Sequence, residues 1–247
     1  MVKWRIFPLE AYDGYTNMAF DEAILDDVIK GGHPTIRFYK WKPSAISLGY
    51  NQKIENEIKL EECKNDNIIY VKRKTGGGTV FHGEEELTYC FVAPATMFSN
   101  LEESYRKICT PIIKALKSLK INVRIDNKND LVHENRKISG NAQVREEGVI
   151  LQHGTILWKP DYEGMQKYLD VNLSLDKIKE KVVGVADIRD VSLEEMYKCI
   201  LEEFVHGKEY EIGDISHLRE SITNILTIKK TESLEQGREL QWSCYFR

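Results

Sequence analysis

The densest concentration of chemically capable residues is Lys72-Arg73-Lys74-Thr75-Gly76-Gly77-Gly78-Thr79-Val80-Phe81-His82. Three adjacent glycines open backbone conformations closed to other residues and leave N–H groups uncovered, so this loop can approach an anion closely. The cations before it add charge. It is not a P-loop, since no Gly-Lys-Ser/Thr closes it, and not a dinucleotide fingerprint, since Phe81 stands where a third glycine would follow Gly76 and Gly78. The plain alternative is a flexible turn between strands. A second polar group, Asn129-Asp130 with Arg136-Lys137-Ile138-Ser139-Gly140-Asn141-Ala142, is set in apolar surroundings. A lysine facing inward from a strand is unfavourable unless it meets an anion, so Lys137 is either a hairpin surface residue or a carboxylate and phosphate ligand. Ser139-Gly140 offers a close-approach backbone beside it. Asp130 could hold a hydrated Mg²⁺ bridging to phosphate, although an isolated Asp at a strand entrance ordinarily serves as a turn or cap residue. His82 and His153 each neighbour a glycine, and for both a place in a pocket wall is favoured over a catalytic base. No serine stands in a G-x-S-x-G elbow.

The rest of the chemistry is narrowed by exclusion. The 247 residues carry a formal net charge of −4, which argues against a general attraction to nucleic acid or an anionic membrane. No stretch has signal-peptide character or approaches the about 20 apolar residues of a membrane span, so a cytoplasmic enzyme or binding protein is expected. Five cysteines (Cys63, Cys90, Cys109, Cys199, Cys244) are odd in number and never in a C-x-x-C pair, which fits reduced thiols. Six scattered histidines show no spacing that brings two imidazoles to one metal.

Elements must position these groups. Residues 16–29 read as an amphipathic helix with Thr16 or Asn17 as N-cap and Gly31-Gly32 as the stop. Residues 35–41 and 45–50 read as strands around Pro43, residues 68–72 and 87–92 as strands flanking the glycines, and 121–125 as a short strand. Residues 101–119 have helical spacing, with Pro111 as a kink or a late start. Residues 136–158 read as a long hairpin around Glu146-Glu147-Gly148, whose glycine suits the positive φ of the turn, and Ser192-x-x-Glu195 opens a helix ending before Gly207. Strands clustered in 35–158 without βαβα alternation predict α+β, with a mixed, largely antiparallel sheet flanked by helices.

Taken in order, these segments resemble the catalytic domain of the lipoate-protein ligase family, within the biotin/lipoate ligase and octanoyltransferase superfamily. The resemblance rests on Asn17-Met18-Ala19-Phe20-Asp21-Glu22, Pro43-x5-Gly49-Tyr50-Asn51-Gln52, the Arg73 to His82 loop, Asn129-Asp130, Arg136-Lys137-x-Ser-Gly140 and His153-Gly154. It covers roughly residues 14–190. It implies a fold similar to the biotin/lipoate protein ligase catalytic domain, over residues 1–208, with 209–247 a small appendage in place of the family's accessory domain. It further implies that lipoate, held in an apolar tunnel, attacks the α-phosphate of ATP to give lipoyl-AMP, and that the lipoyl group passes to a lysine of a carrier domain. That carrier would belong to a 2-oxoacid dehydrogenase E2 or the glycine cleavage H protein.

On this reading Lys137 is catalytic and bridges carboxylate and phosphate. Arg73, Gly76, Gly77, Gly78, Thr79, Val80 and Phe81 bind ATP phosphate; Gly77, His82, Ser139, Gly140 and His153 join Lys137 around lipoate; Asn129 and Asp130 orient nucleotide or Mg²⁺. The rival within the superfamily is octanoyl transfer from a carrier protein without ATP, through a cysteine thioester. No cysteine falls between Cys109 and Cys199, where that branch places it, so ATP-dependent ligation is expected. Leu87-Thr88-Tyr89 and the Gln143 to Gly154 stretch resemble the transferase branch as much as the ligase branch. Because the usual accessory module has little room, a separate subunit supplying it is favoured over a chain acting alone. A non-catalytic module that binds a lipoyl group or carrier domain is the third reading.

Overall fold

The structure, a computed structural model, describes the backbone of residues 2–245 and side chains through residue 235. Its strands are β1 (Trp4–Tyr12), β2 (Thr35–Trp41), β3 (Ala45–Leu48), β4 (Ile69–Lys72), β5 (Val80–His82), β6 (Glu86–Pro94), β7 (Arg124–Asp126), β8 (Asp130–His133), β9 (Arg136–Glu146), β10 (Val149–Leu157) and β11 (Tyr210–Ile212). Its helices are α1 (Gly14–Ile29), α2 (Leu60–Asn65), α3 (Leu101–Ser118), α4 (Tyr162–Tyr168), α5 (Leu175–Lys181), α6 (Val185–Ile188), α7 (Leu193–Val205) and α8 (Arg219–Tyr245). The large sheet has the order β11-β1-β2-β6-β10-β9-β8-β7, and a small sheet the order β4-β3-β5. β1 is parallel to both neighbours, and the other pairs of the large sheet are antiparallel. This is the mixed, largely antiparallel α+β architecture that the sequence predicts.

The central strands are apolar on both faces because helices cover both. Phe38, Tyr89 and Phe91 point to the side of α3 and α7, where Ile108, Ile112, Ile200 and Phe204 meet them. Their neighbours Tyr39, Trp41, Cys90 and Val92 point to the other side, against Met18, Ile24 and Leu25 of α1. The two-residue period of the strands thus separates two cores. Leu218, just before α8, and Ile222 in its first turn bring the start of α8 onto the α1 side.

Several local expectations shift. α1 begins earlier, because Asp13 is its N-cap and accepts from Thr16 N at 3.0 Å, which releases Asn17 for another role. α3 runs unbroken through Pro111, capped by Asn100, since one lost N–H is outweighed by the packing of Ile108, Ile112, Ala115 and Leu116. The expected strand at 121–125 starts only at Arg124, as Ile121 is buried in the core. The β9–β10 hairpin does turn at Glu147 and Gly148, with φ of +45° and +78°, the left-handed pair of a tight two-residue turn. No helix among the described residues is long and apolar enough to cross a membrane.

Candidate active site

A cavity of about 130 Å³ lies where the two sheets and α1 converge. β2 contributes Tyr39 and Trp41, β3 contributes Ser47, and β6 contributes Thr88. The rim is the glycine loop from one side and Asn129, Lys137 and Gly140 from the other.

Arg73 organises the loop. It is only 5% exposed, and its five N–H groups all meet protein acceptors. Nε donates to Thr75 Oγ1 (3.1 Å), Nη1 to the Ser47 carbonyl and hydroxyl (2.9 and 3.1 Å), and Nη2 to the carbonyls of Gly76 and Gly78 (2.9 and 2.6 Å). Burial lowers its pKa to about 10, which still leaves it charged at neutral pH. Gly77 takes φ of +87°, and its carbonyl passes so close to Gly49 that a Cβ there would lie 2.0 Å away.

On the cavity wall the Trp41 and His82 rings stack at 3.9 Å and 6°. His82 Nε2 lies 2.8 Å from Ser47 Oγ, and its Nδ1 lies 3.4 Å from Glu86 Oε2. Burial, then the charge of Arg73, holds His82 well below its usual range. Burial pushes the Glu86 carboxyl up to about 8. At pH 7 this pair is therefore a neutral imidazole beside a neutral carboxylic acid.

A second network sits under the α1 side. Arg37, fully buried, donates to Asp21 Oδ1 (2.7 Å) and Asn17 Oδ1 (2.6 Å), while Tyr39 OH donates to Asp21 Oδ2 (2.8 Å). His153 Nδ1 lies 3.1 Å from the same Oδ2, and its Nε2 lies 2.7 Å from Thr75 Oγ1. Burial acts to raise the Asp21 carboxyl, but the His153 hydrogen bond and the Arg37 charge outweigh it and hold the group below the ordinary range. The Asn17 and Asp21 of the first helix thus fix one wall, including His153.

Lys137 stands at the mouth, 42% exposed, with its ammonium 2.8 Å from Asp130 Oδ1. It folds back over Gly140, where a Cβ would lie 2.7 Å from Nζ. Asn129 and Asn141 clasp each other, each side-chain amide donating to the other's carbonyl at 2.6 and 2.7 Å.

Of the residues singled out from the sequence, Arg73, Gly77, Gly78, Thr79, Val80, His82, Asn129, Lys137, Gly140 and His153 line one cavity. Gly76, Phe81, Ser139 and Asp130 do not. Phe81 stacks on Tyr168 behind the small sheet, Ser139 is fully buried, and Asp130 joins only through Lys137. Met18, Tyr39, Trp41, Ser47, Thr88 and Thr155 were missed, since in sequence they read as strand and helix core. Among the described residues no cysteine lines the cavity. Burial raises the thiols of Cys63 and Cys109 to about 11 and holds that of Cys90 well above its ordinary range. Cys244 lies outside the described side chains.

Comparison with known proteins places the chain. Residues 13–205 match the family described as the lipoyl protein ligase A/B catalytic domain. Octanoyltransferase LipM of Staphylococcus aureus is 32% identical, with 97% of each chain covered. Octanoyltransferase LipM of Geobacillus kaustophilus is 36% identical over 83% of this chain and 86% of that one. A bi-partite lipoate protein ligase from Thermoplasma acidophilum shares the fold, with a TM-score of 0.81 at 23% identity, covering 92% of this chain and 93% of that one. The curated relatives overturn the expectation of an ATP-dependent, adenylate-forming ligase using ATP and Mg²⁺. The physical reason is that one fold can serve either donor: a free acid needs adenylation, whereas a thioester arrives already activated. The missing cysteine distinguishes the two only if the acyl group must rest on the enzyme.

Proposed function

The chain belongs to the lipoyl protein ligase A/B catalytic-domain family, and from that premise we propose that it transfers an octanoyl group from a carrier-protein thioester to a lysine of a lipoyl carrier domain without ATP. The observation that carries this reading is a buried cavity with one exposed-headed cation, Lys137, at its mouth, in a chain whose curated relatives are octanoyltransferases. The alkyl chain occupies the cavity, and the thioester carbonyl lies at the mouth beside Lys137.

The acceptor amine attacks the carbonyl carbon, negative charge grows on the carbonyl oxygen, and the Lys137 ammonium stabilises it. Collapse breaks the C–S bond; the donor thiol leaves with a proton and the new amide remains on the acceptor. With no described thiol in the cavity, the reading is direct transfer rather than a two-step relay through the enzyme. Carrier domains of 2-oxoacid dehydrogenases and the glycine cleavage system present the required lysine, and cytoplasmic operation fits the reduced thiols.

The test is mass spectrometry of an apo lipoyl domain incubated with the protein and octanoyl carrier protein, with no nucleotide present. The domain should gain the mass of one octanoyl group. Modification that requires free acid and ATP would reject the proposal.

A further inference from the structure

Octanoyl transfer makes no use of two charged groups near the cavity, Lys229 on α8 and Glu22 on α1. The Lys229 side chain is 7% exposed, and its ammonium lies 2.6 Å from Glu22 Oε1. The same ammonium donates to the carbonyl of Lys72 at 2.9 Å. One turn further, Ser233 Oγ donates to the Tyr70 carbonyl at 3.2 Å and lies 3.0 Å from Tyr15 OH. Two side chains of α8 thus reach β4, and they reach the strand whose last residue precedes Arg73.

A buried ion pair contributes little net stability, because desolvating both charges offsets their attraction. What such a pair does supply is a fixed geometry. Here the geometry is passed on: the Lys72 carbonyl is held by α8, Arg73 follows it directly, and Arg73 ties the Ser47, Gly76 and Gly78 carbonyls into the cavity rim. We propose that Lys229 is a positioning residue, which through the Lys72 carbonyl sets Arg73 and the glycine rim against which the acyl donor lies. The inference rests on the acyl-transfer reading for its kinetic test and on the cavity alone for its binding test.

The experiment compares wild type, K229M, K229R and S233A, each also in an R73K background. K229M keeps the stem and removes the charge; it should raise KM for the octanoyl thioester about tenfold while leaving KM for the acceptor domain unchanged. K229R should restore most of the loss, and S233A should show a weaker effect of the same kind. In the R73K background K229M should add little, because both changes act on one rim. An unchanged donor KM in folded K229M, or full multiplicative losses in both backgrounds, overturns the proposal. If K229M fails to fold, an unchanged donor KM in S233A does so. Calorimetric binding of octanoyl-pantetheine separates the two readings. A tenfold weaker Kd in K229M with no transfer by wild type would sink the transferase reading and keep this one.

Discussion

Lys137 can fold back to its place at the cavity mouth because Gly140 lacks a side chain. A Cβ at Gly140 would lie 2.7 Å from both Cε and Nζ of Lys137, so Gly140→Ala must push the ammonium off its place at the mouth. On the proposed mechanism, steady-state kinetics with an octanoyl thioester should show about a tenfold fall in kcat/KM for Gly140→Ala, and about 10²–10³-fold for Lys137→Met, which removes the charge proposed to face the oxyanion. Glu86 gives a pH signature. Its carboxyl binds a proton up to about pH 8 in the folded chain against 4.5 when exposed. The folded state therefore holds more protons across that window, and the contribution of Glu86 to stability is full below pH 4.5 and lost as pH rises through 8. His82, held low, slopes the other way near neutral pH and below, but does so equally in both proteins. Glu86→Gln should gain on wild type in denaturant unfolding between those pH values and keep a constant lead above pH 8. Parallel curves would refute the assignment. At this scale the polar site was legible in Arg73, Lys137 and the two histidines, because such groups stand out among apolar neighbours. Trp41, Thr88 and Thr155 were not, since alternation tells which face a residue takes but not that the face opens on a cavity.

Helix caps and turns follow local rules, and the cap of α7 and the β9–β10 turn were legible, whereas the cap of α1 lay at Asp13, outside the expected Thr16 or Asn17. Ser192 accepts from Glu195 N at 3.1 Å, as its spacing predicts, and Ser192→Ala should destabilise the fold by about 1 kcal/mol in urea denaturation. A loss well below that would mean that tertiary contacts alone hold the start of α7. The Glu147-Gly148 turn was equally plain. β1 was missed because its buried half, Trp4 to Phe7, contains Arg5 and gives way to exposed positions at Pro8 and Glu10, so no single period runs through it. β8 and β11 are three or four residues long and exist by pairing with β9 and β1. α8 escaped for a different reason: its inward face is apolar only over Ile222, Ile225 and Leu226 and then continues with Lys229 and Ser233, so the apolar stripe is too short to stand out.

For the molecule as a whole, the placement of thiols makes a claim about the reaction. Cys63, Cys90 and Cys109 are buried and Cys199 is half-buried, and none of them lines the cavity. A variant with all five cysteines replaced by Ala should keep transfer within a few-fold and show no acyl-enzyme mass; loss of transfer in a folded variant would require an enzyme thioester. The order of the large sheet has a consequence in time. Trp4 pairs with Tyr210, Arg5 with Glu211 and Ile6 with Ile212, so the outer edge of β1 stays open until the roughly 200 residues that separate these strands have been synthesised. At about 5–20 residues per second that wait is on the order of 10–40 s. An open strand edge recruits other chains, so three residues of β11 close a period in which the nascent protein is open to misassembly.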